Sequence, residues 1–337
     1  MSDFETSTHR ANWIFSPQQL AEKRKFVNQR AKKLLEEYGT SRMQVDIEGS
    51  CSIPDSQAHK SNCNAMEVDT NGFFPKLESQ VHDRHSRPKS LGVEDEEFMR
   101  VYYEFKLREV CSAFYFPHKI QAAALIYFKR FYLQWSVMEH DPKHIMLTCI
   151  YAACKIEENH VSAEELGKGI SQDHQMILNY EMIVLQSLDF ELIVFAPYRS
   201  VEGFFTDMIE SSYGNKSSKE LMELKEAAMV EVDKIMLTDG PLLFPPARMA
   251  LAAMKNAYGV SNEHVFDGYL NGILERHGKA HTYWEFSESF NAIYELVKEY
   301  KFPTEKDVKH INRKLKSCWG QNSHDESKRR EKKPKHK

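Results

Sequence analysis

The sequence predicts an all-α protein, and three observations support this fold class. Leu, Met, Ala, Lys, Glu, Phe and Tyr are abundant, whereas only 14 of the 337 residues are Gly and 12 are Pro, a composition that favours helices over strands. Apolar residues recur at helical spacing through most of residues 93–320. No alternating run of apolar and polar residues is long enough to indicate a sheet.

Composition also indicates the size class and the compartment. The chain is 42% hydrophobic with a net charge of −4, as expected of one large or two medium domains. Residues 1–20 lack the apolar run of a secretion signal and no run reaches transmembrane length, so we expect neither secretion nor membrane insertion. The six cysteines are Cys51, Cys63, Cys111, Cys149, Cys154 and Cys318. Their spacing suits no disulfide framework or zinc site, which favours reduced thiols in a reducing compartment.

The first predicted element is a helix within the N-terminal region, residues 1–39. Ser16 is a suitable N-cap, Pro17 suits the first helical position, and Gln19 completes a capping box. Gly39 ends the helix. The apolar stripe predicted to face the body of the protein consists of Leu20, Val27, Ala31, Leu34 and Tyr38.

Residues 40–92 are predicted to form a disordered linker. They are rich in Ser, Asn, Asp, His and Pro and cannot bury enough apolar surface to offset the entropy of ordering. The linker also contains Cys51, His59, Cys63, His82 and His85. These residues lack the close pairs that are typical of zinc sites, so we expect no metal.

A first unit of five helices is predicted for residues 93–195. The helices are placed at 96–115, 119–135, 142–159, 164–169 and from 173 onward. The apolar stripe of the first helix consists of Phe98, Val101, Tyr102, Phe105, Val110 and Phe114.

The unit is organised around its third helix. Pro142 suits the first position of that helix. Between Ile145 and Cys154 no residue is charged, and apolar or small side chains cover every face, as in a helix buried among other helices. The charged residues that follow, beginning with Lys155, must then reach a surface.

A second unit of five helices is predicted for residues 196–302. The helices are placed at 198–211, 219–238, 246–258, 262–276 and 283–300. The third helix of each unit contains an Ala-Ala-X-Lys segment, which ends at Lys155 in the first unit and at Lys255 in the second. This match indicates an internal duplication. A last helix is predicted for 303–320, and a basic tail follows at 321–337.

Four short segments of the first unit resemble those of a known family. They are 127–133 (YFKRFYL), 136–139 (SVME), 145–149 (IMLTC) and 153–158 (ACKIEE). Together with two successive five-helix units and a helix at each end, these segments resemble the cyclin family, most closely its cyclin H branch in the plant form. The resemblance covers the N-terminal helix and residues 93–320, and it implies two tandem cyclin folds.

The resemblance implies a non-catalytic regulatory subunit that binds and activates a cyclin-dependent kinase. The resulting CDK-activating kinase would phosphorylate kinase activation loops and the C-terminal domain of RNA polymerase II within TFIIH. The resemblance further implies that the protein is nuclear and in part cytoplasmic, and that it has no cofactor. It also implies a RING-finger assembly factor and the TFIIH core as additional partners. By motif, the kinase-binding residues are Lys155, Ile156, Glu158 and Glu181.

Other interpretations of the same residues stay open. Lys155 can be a solvated helix end, and Glu181 a surface carboxylate of an amphipathic helix. Paired folds and a basic tail also suit another transcriptional cyclin or a TFIIB-like nucleic-acid-binding transcription factor. Against specific nucleic-acid binding, the chain outside residues 328–337 has a net charge of about −10 and would repel phosphate.

An enzyme is the third class considered. Cys149 or Cys154 with His144 could form a thiol–imidazole pair, but an apolar helix would raise the pKa of either thiol and leave it inert. In the tail, the predicted nuclear-import residues are Lys328, Arg329, Arg330, Lys332 and Lys333. A nucleic-acid patch or a solvated charge run are the alternatives for that tail.

Overall fold

A computed structural model describes residues 3–45, 51–52, 89–210, 217–259, 262–277 and 283–319. These residues are predominantly helical, which confirms the all-α fold class. Their strands are the two-residue segments Gln44–Val45 (β1) and Cys51–Ser52 (β2), which pair antiparallel. Most of the predicted linker, with His59, Cys63, His82 and His85, lies outside the described residues. The basic tail and its predicted import residues lie outside them as well.

The described helices follow the predicted order. Two precede the first unit: α1 (Thr8–Trp13) and α2 (Pro17–Tyr38). The first unit contains α3 (Val93–Ala113), α4 (His118–Gln134), α5 (Pro142–Ile156), α6 (Ala163–Gly169) and α7 (His174–Ser187). The second contains α8 (Pro197–Glu210), α9 (Ser218–Leu237), α10 (Gly240–Leu243), α11 (Pro246–Tyr258), α12 (Glu263–His277) and α13 (Tyr283–Glu299), and α14 (Glu305–Cys318) follows. The short helices α1 and α10 were not predicted.

Local sequence signals set the helix starts. Ser16 and Gln19 form the predicted capping box at the start of α2, with the Ser16 side chain accepting from the Gln19 amide. Along α2 the buried stripe differs from the prediction towards the C-terminal end, where Leu34 and Tyr38 are only partly buried. Leu35 is buried in place of the predicted Leu34, because a four-residue step from Ala31 keeps to the same face of the helix.

Each unit is built around one buried helix. In the first unit α5 packs against α3, α4 and α7, and from Ile145 to Cys154 every side chain except Tyr151 is buried. In the second unit α11 packs against α8, α9 and α13 in the same way. Lys155 and Lys255 both lie in the last turn of these central helices. The architecture therefore agrees with an internal duplication.

The core-facing side of α3 differs from the prediction. The predicted stripe of Phe98, Val101, Tyr102, Phe105, Val110 and Phe114 is only partly buried. The buried side instead carries Met99 and Leu107 together with the charged Glu96 and Glu104. Glu104 is tolerated there because its carboxylate accepts a hydrogen bond from the buried Lys129 ammonium at 2.5 Å. A buried charge needs such a partner, and apolar periodicity does not reveal it.

Helix α2 fastens the N-terminal region to both units. The Arg24 guanidinium donates two hydrogen bonds, of 2.5 and 2.7 Å, to the carboxylate of Asp239, which precedes α10 in the second unit. The Arg30 guanidinium donates to Glu139 of the first unit at 2.6 and 3.0 Å. Two-pronged arginine–carboxylate pairs of this kind fix orientation as well as distance.

The turn at residues 136–140 joins segments that are far apart in sequence. Ser41 Oγ donates to the Met138 carbonyl at 3.1 Å, and Trp319 Nε1 donates to the same carbonyl at 2.8 Å. The Leu91 amide donates to the Met138 sulfur at 3.3 Å. Both ends of the linker and the end of α14 therefore meet at one turn.

The described residues contain neither a membrane-spanning helix nor a metal-binding cluster. Within the ranges given above, no helix has the length and apolar character needed to cross a membrane. The same ranges contain no group of three or more His, Cys, Asp or Glu side chains that could bind a metal ion.

Candidate functional site

The end of α5 brings two oppositely charged side chains together at the surface. The Lys155 ammonium donates a hydrogen bond to Oε1 of Glu181 on α7 at 2.6 Å. About half of the Lys155 side chain is exposed (53%), against 19% of the Glu181 side chain. The hydrogen bond to Glu181 raises the pKa of Lys155, so the ammonium stays protonated at neutral pH. The pair is therefore a charged, accessible feature anchored on the central helix.

The backbone after Lys155 forms a Schellman turn. The Asn159 amide donates to the Cys154 carbonyl at 2.8 Å, and the Glu158 amide donates to the Lys155 carbonyl at 3.3 Å. Glu158 occupies the left-handed position of this turn, with φ of 57°. Glycine usually fills that position because it has no Cβ to clash.

Helix α4 braces the same helix end. The Lys119 ammonium donates to the Glu157 carbonyl at 2.7 Å and lies 3.4 Å from the Glu157 carboxylate. A cation beside the last carbonyls of a helix offsets the negative end of its dipole. The positions of Lys155 and Ile156 are thus fixed by neighbouring helices as well as by α5.

Exposed apolar side chains lie next to both charged residues. Ile156, adjacent to Lys155, is 40% exposed. Met182, adjacent to Glu181, is 44% exposed, and Leu178, one turn earlier on α7, is 38% exposed. Clustered exposed apolar side chains around polar groups are typical of a protein-binding surface.

The structure places the four residues predicted from the family motif in one region. Lys155 and Glu181 are in direct contact, Ile156 follows Lys155, and Glu158 follows in the turn that ends α5. Their role in kinase binding stays a prediction.

Apolar neighbours on the fifth helix of the unit were expected from the family resemblance, but Leu178 and Met182 of α7 were not among the residues predicted by name. Leu178 and Met182 lie four residues apart, outside the buried stripe of that helix. Phe190, just after α7, is 58% exposed and has a left-handed φ of 55°. The signal that could have revealed them is a second apolar stripe beside the core stripe.

The site lacks an activated nucleophile. Burial raises the pKa of Cys149, and it raises the pKa of Cys154 to about 11, so both thiols are protonated at neutral pH. Burial also lowers the pKa of His144, whose Nδ1 has no hydrogen-bond partner among the described residues. The considered thiol–imidazole pair therefore has neither a thiolate nor an imidazolium. The surface suits binding.

The matching position in the second unit is closed. The Lys255 ammonium pairs with Glu263 at 2.9 Å, lies 5.9 Å from the centre of the Phe290 ring, and has a side chain only 22% exposed. Phe290 is itself buried and lies seven residues into α13, as Glu181 lies seven residues into α7. The duplicated unit thus has no open counterpart of the Lys155–Glu181 pair.

Two family profiles match the two units. The family "Cyclin, N-terminal domain" matches residues 73–193, and the family "Cyclin C-terminal domain" matches residues 196–318.

Known proteins resemble the chain in sequence and in fold. Cyclin-H1-1 of Arabidopsis thaliana is 54% identical over 98% of this chain and 93% of its own length, and Cyclin-H of Xenopus laevis is 32% identical over 73% and 78%. A chain of the CAK complex from Chaetomium thermophilum bound to ATP-gamma-S has the same fold, with a TM-score of 0.70, 18% identity, and coverage of 98% and 95%. A chain of the yeast TFIIK (Kin28/Ccl1/Tfb3) complex aligns with a TM-score of 0.62, 20% identity, and coverage of 87% and 100%. On these sequence matches, the chain belongs to the cyclin H family.

Proposed function

We propose that the chain is the regulatory cyclin subunit that binds and activates a cyclin-dependent kinase, and that it has no catalytic activity itself. The observation that carries this proposal is the exposed Lys155–Glu181 pair, set among exposed apolar side chains at the end of the central buried helix of the first unit. The related chains from complexes named CAK and TFIIK support it.

The activation mechanism follows from how a kinase aligns its ATP phosphates. A glutamate on the kinase C-helix must pair with the lysine on strand β3, and this requires one particular position of the C-helix. A rigid helical surface that binds only the productive position shifts the equilibrium towards it. Ile156, Leu178 and Met182 supply apolar area for this contact. Lys155 and Glu181 bond backbone groups of the kinase and fix its orientation.

The proposal also includes the domain boundaries, the substrates of the complex, its location and its further partners. The two cyclin folds span residues 93–195 and 196–302, with the helix at 303–320 behind them. The complex phosphorylates kinase activation loops and the RNA polymerase II C-terminal domain within TFIIH, in the nucleus. A RING-finger assembly factor and the TFIIH core are its further partners, which co-purification with mass spectrometry would identify.

Replacing both polar anchors tests the surface. In a Lys155→Ala, Glu181→Ala variant, backbone groups of the bound kinase lose charged partners, and each such loss costs about 1.5–3 kcal/mol. Affinity for the co-purifying kinase, measured by titration calorimetry, should fall by at least the roughly ten- to hundred-fold that corresponds to losing one such partner. Kinase activity at limiting cyclin concentration should fall with it.

The chain offers a matched control in Lys234→Ala with Glu231→Ala. This pair on α9 has the same 2.6 Å separation and nearly the same side-chain exposure, 51% and 21%. Lys255→Ala is a poorer control because that side chain is partly buried. Both double variants should keep their helical circular dichroism and unfold cooperatively. Equal losses in the two variants, or full activation by the Lys155 and Glu181 variant, would refute the assigned surface.

A further inference from the structure

The outer face of α14 is basic along most of its length. Between residues 306 and 316 every exposed side chain is basic. These side chains are Lys306, Lys309, His310, Arg313 and Lys316. The two carboxylates of the helix lie at its first turn, where Asp307 accepts hydrogen bonds from the Thr304 cap and Glu305 lies 3.2 Å from Lys309. The opposite face, with Ile311 and Leu315, is buried.

The net charge of α14 is opposite in sign to that of the whole chain. The helix carries five Lys or Arg and two acidic residues, a net charge of +3, whereas the chain has −4. Other described helices expose mixed or acidic faces, such as α13 with Glu285, Glu288, Glu295 and Glu299. Acidic side chains outside α14 lie at the first turn of α3, which packs against α14, and Asp95 among them is already paired with Lys314 at 2.8 Å. At physiological salt, charges more than about 8 Å away are largely screened.

We propose that the outer face of α14 binds the phosphates of nucleic acid without sequence preference. Lys306, Lys309, Arg313 and Lys316 span ten residues, which is about 15 Å along the helix. One strand of duplex DNA presents a phosphate about every 3.4 Å, so four contacts fit within that span. Just beyond the far end of the helix, the Arg42 guanidinium lies 5.1 Å from the centre of the Trp319 ring.

The charge density of the ligand favours nucleic acid over an acidic protein segment. A duplex carries a condensed layer of counterions that each bound cation releases, which gives binding a steep and calculable dependence on salt. An acidic peptide of lower charge density lacks that layer. The chain's basic tail, outside the described residues, continues the same charge by sequence.

The test uses the full-length chain and a labelled duplex of about 20 base pairs of random sequence, followed by fluorescence anisotropy across a salt series. The variant carries Lys306→Gln, Lys309→Gln, Arg313→Gln and Lys316→Gln. Loss of four phosphate contacts should make the slope of log Kobs against log salt shallower by about 3.6. The tail is present in both proteins, so its contribution cancels.

A second set of substitutions controls for net charge. Lys168→Gln, Lys219→Gln, Lys234→Gln and Lys298→Gln remove the same total charge from other exposed side chains, which are 81%, 87%, 51% and 61% exposed. This control should keep the wild-type slope. The proposal is overturned if both sets change the slope equally or if the α14 set leaves it unchanged. Displacement of the duplex by poly-glutamate at equal charge concentration would also overturn it, since the face would then bind any acidic chain.

Discussion

Glu158 holds a backbone conformation that is unfavourable for a residue with a side chain. Its φ of 57° lies in the left-handed region, which costs an L-residue about 1–2 kcal/mol and costs glycine far less. The chain nevertheless keeps a carboxylate there, in the turn that follows Lys155 and Ile156. Strain of this kind is typical of residues retained for binding.

Glu158→Gly should therefore make the protein more stable and a weaker kinase partner. Relief of backbone strain should raise the free energy of unfolding, measured in urea, by about 0.5–1 kcal/mol after the greater flexibility of unfolded glycine is counted. Affinity for the kinase should fall at least several-fold because a contact is lost.

Ser171→Gly is the matched control for this change. Ser171 is exposed and also left-handed, with φ of 54°, but it follows α6 and lies outside the proposed surface. We expect a similar gain in stability with unchanged affinity. If Glu158→Gly also bound the kinase normally, its side chain would not be a contact.

The attachment of α2 to the second unit depends on the Arg24–Asp239 pair, and the protonation of Asp239 can be followed through the stability of the protein. Burial alone would raise the pKa of Asp239, but the charge and hydrogen bonds of the Arg24 guanidinium, together with the nearby Lys129 and Arg100 cations, outweigh burial and lower the pKa from 3.8 to about 2. A group whose pKa is lower in the folded state stabilises the fold above its unfolded pKa, and that stabilisation disappears as the pH falls towards the folded value. The shift corresponds to about 2 kcal/mol.

Asp239→Asn removes this titration. The difference in free energy of unfolding between wild type and variant should be nearly constant above about pH 5 and should narrow by about 2 kcal/mol between pH 5 and pH 2. Urea unfolding at several pH values measures it. A difference that stays constant down to pH 2 would mean that Arg24 does not stabilise the carboxylate.

The helices differ in how much their sequences revealed. Caps and prolines are local signals, so the start of α2 was predicted to the residue. The residues on the inward face of α3 were not predicted correctly, because the buried Glu104 is stabilised by Lys129, a partner 25 residues away in sequence. Exposure of Leu178 and Met182 likewise depends on what packs beside α7. The charged residues of the candidate site came from the family motif, and the family fold also implied that Glu181 lies near Lys155. The structure adds their direct hydrogen bond at 2.6 Å.

At the scale of the whole molecule, two units with one architecture present different surfaces. Lys155 is 53% exposed and points its ammonium at Glu181, whereas Lys255 is 22% exposed and already paired with Glu263. Duplication was visible in the matching tetrapeptides. The difference in exposure between Lys155 and Lys255 was not visible in the sequence, because it depends on which residue of α7 or α13 lies opposite the lysine.

The linker should tolerate large deletions because its two ends are held together. Ser41 and Leu91 both contact Met138, so a short connection can span the gap. Loop-closure entropy changes slowly with length, and removing about 30 residues from 53–88 should stabilise the fold by about 1 kcal/mol at most. Kinase activation, assayed with the purified kinase, should stay within a few-fold of wild type. Abolished activation would show that the linker has a direct role.

The shared attachment at Met138 has one more consequence. Its carbonyl accepts a hydrogen bond from Ser41, which lies before the linker. With the Arg24–Asp239 and Arg30–Glu139 pairs, this contact binds the N-terminal piece non-covalently to the rest of the protein. A protease that cuts once between residues 53 and 88 would leave two fragments that behave as subunits of a heterodimer. They would elute together in size-exclusion chromatography and separate only when the protein is denatured.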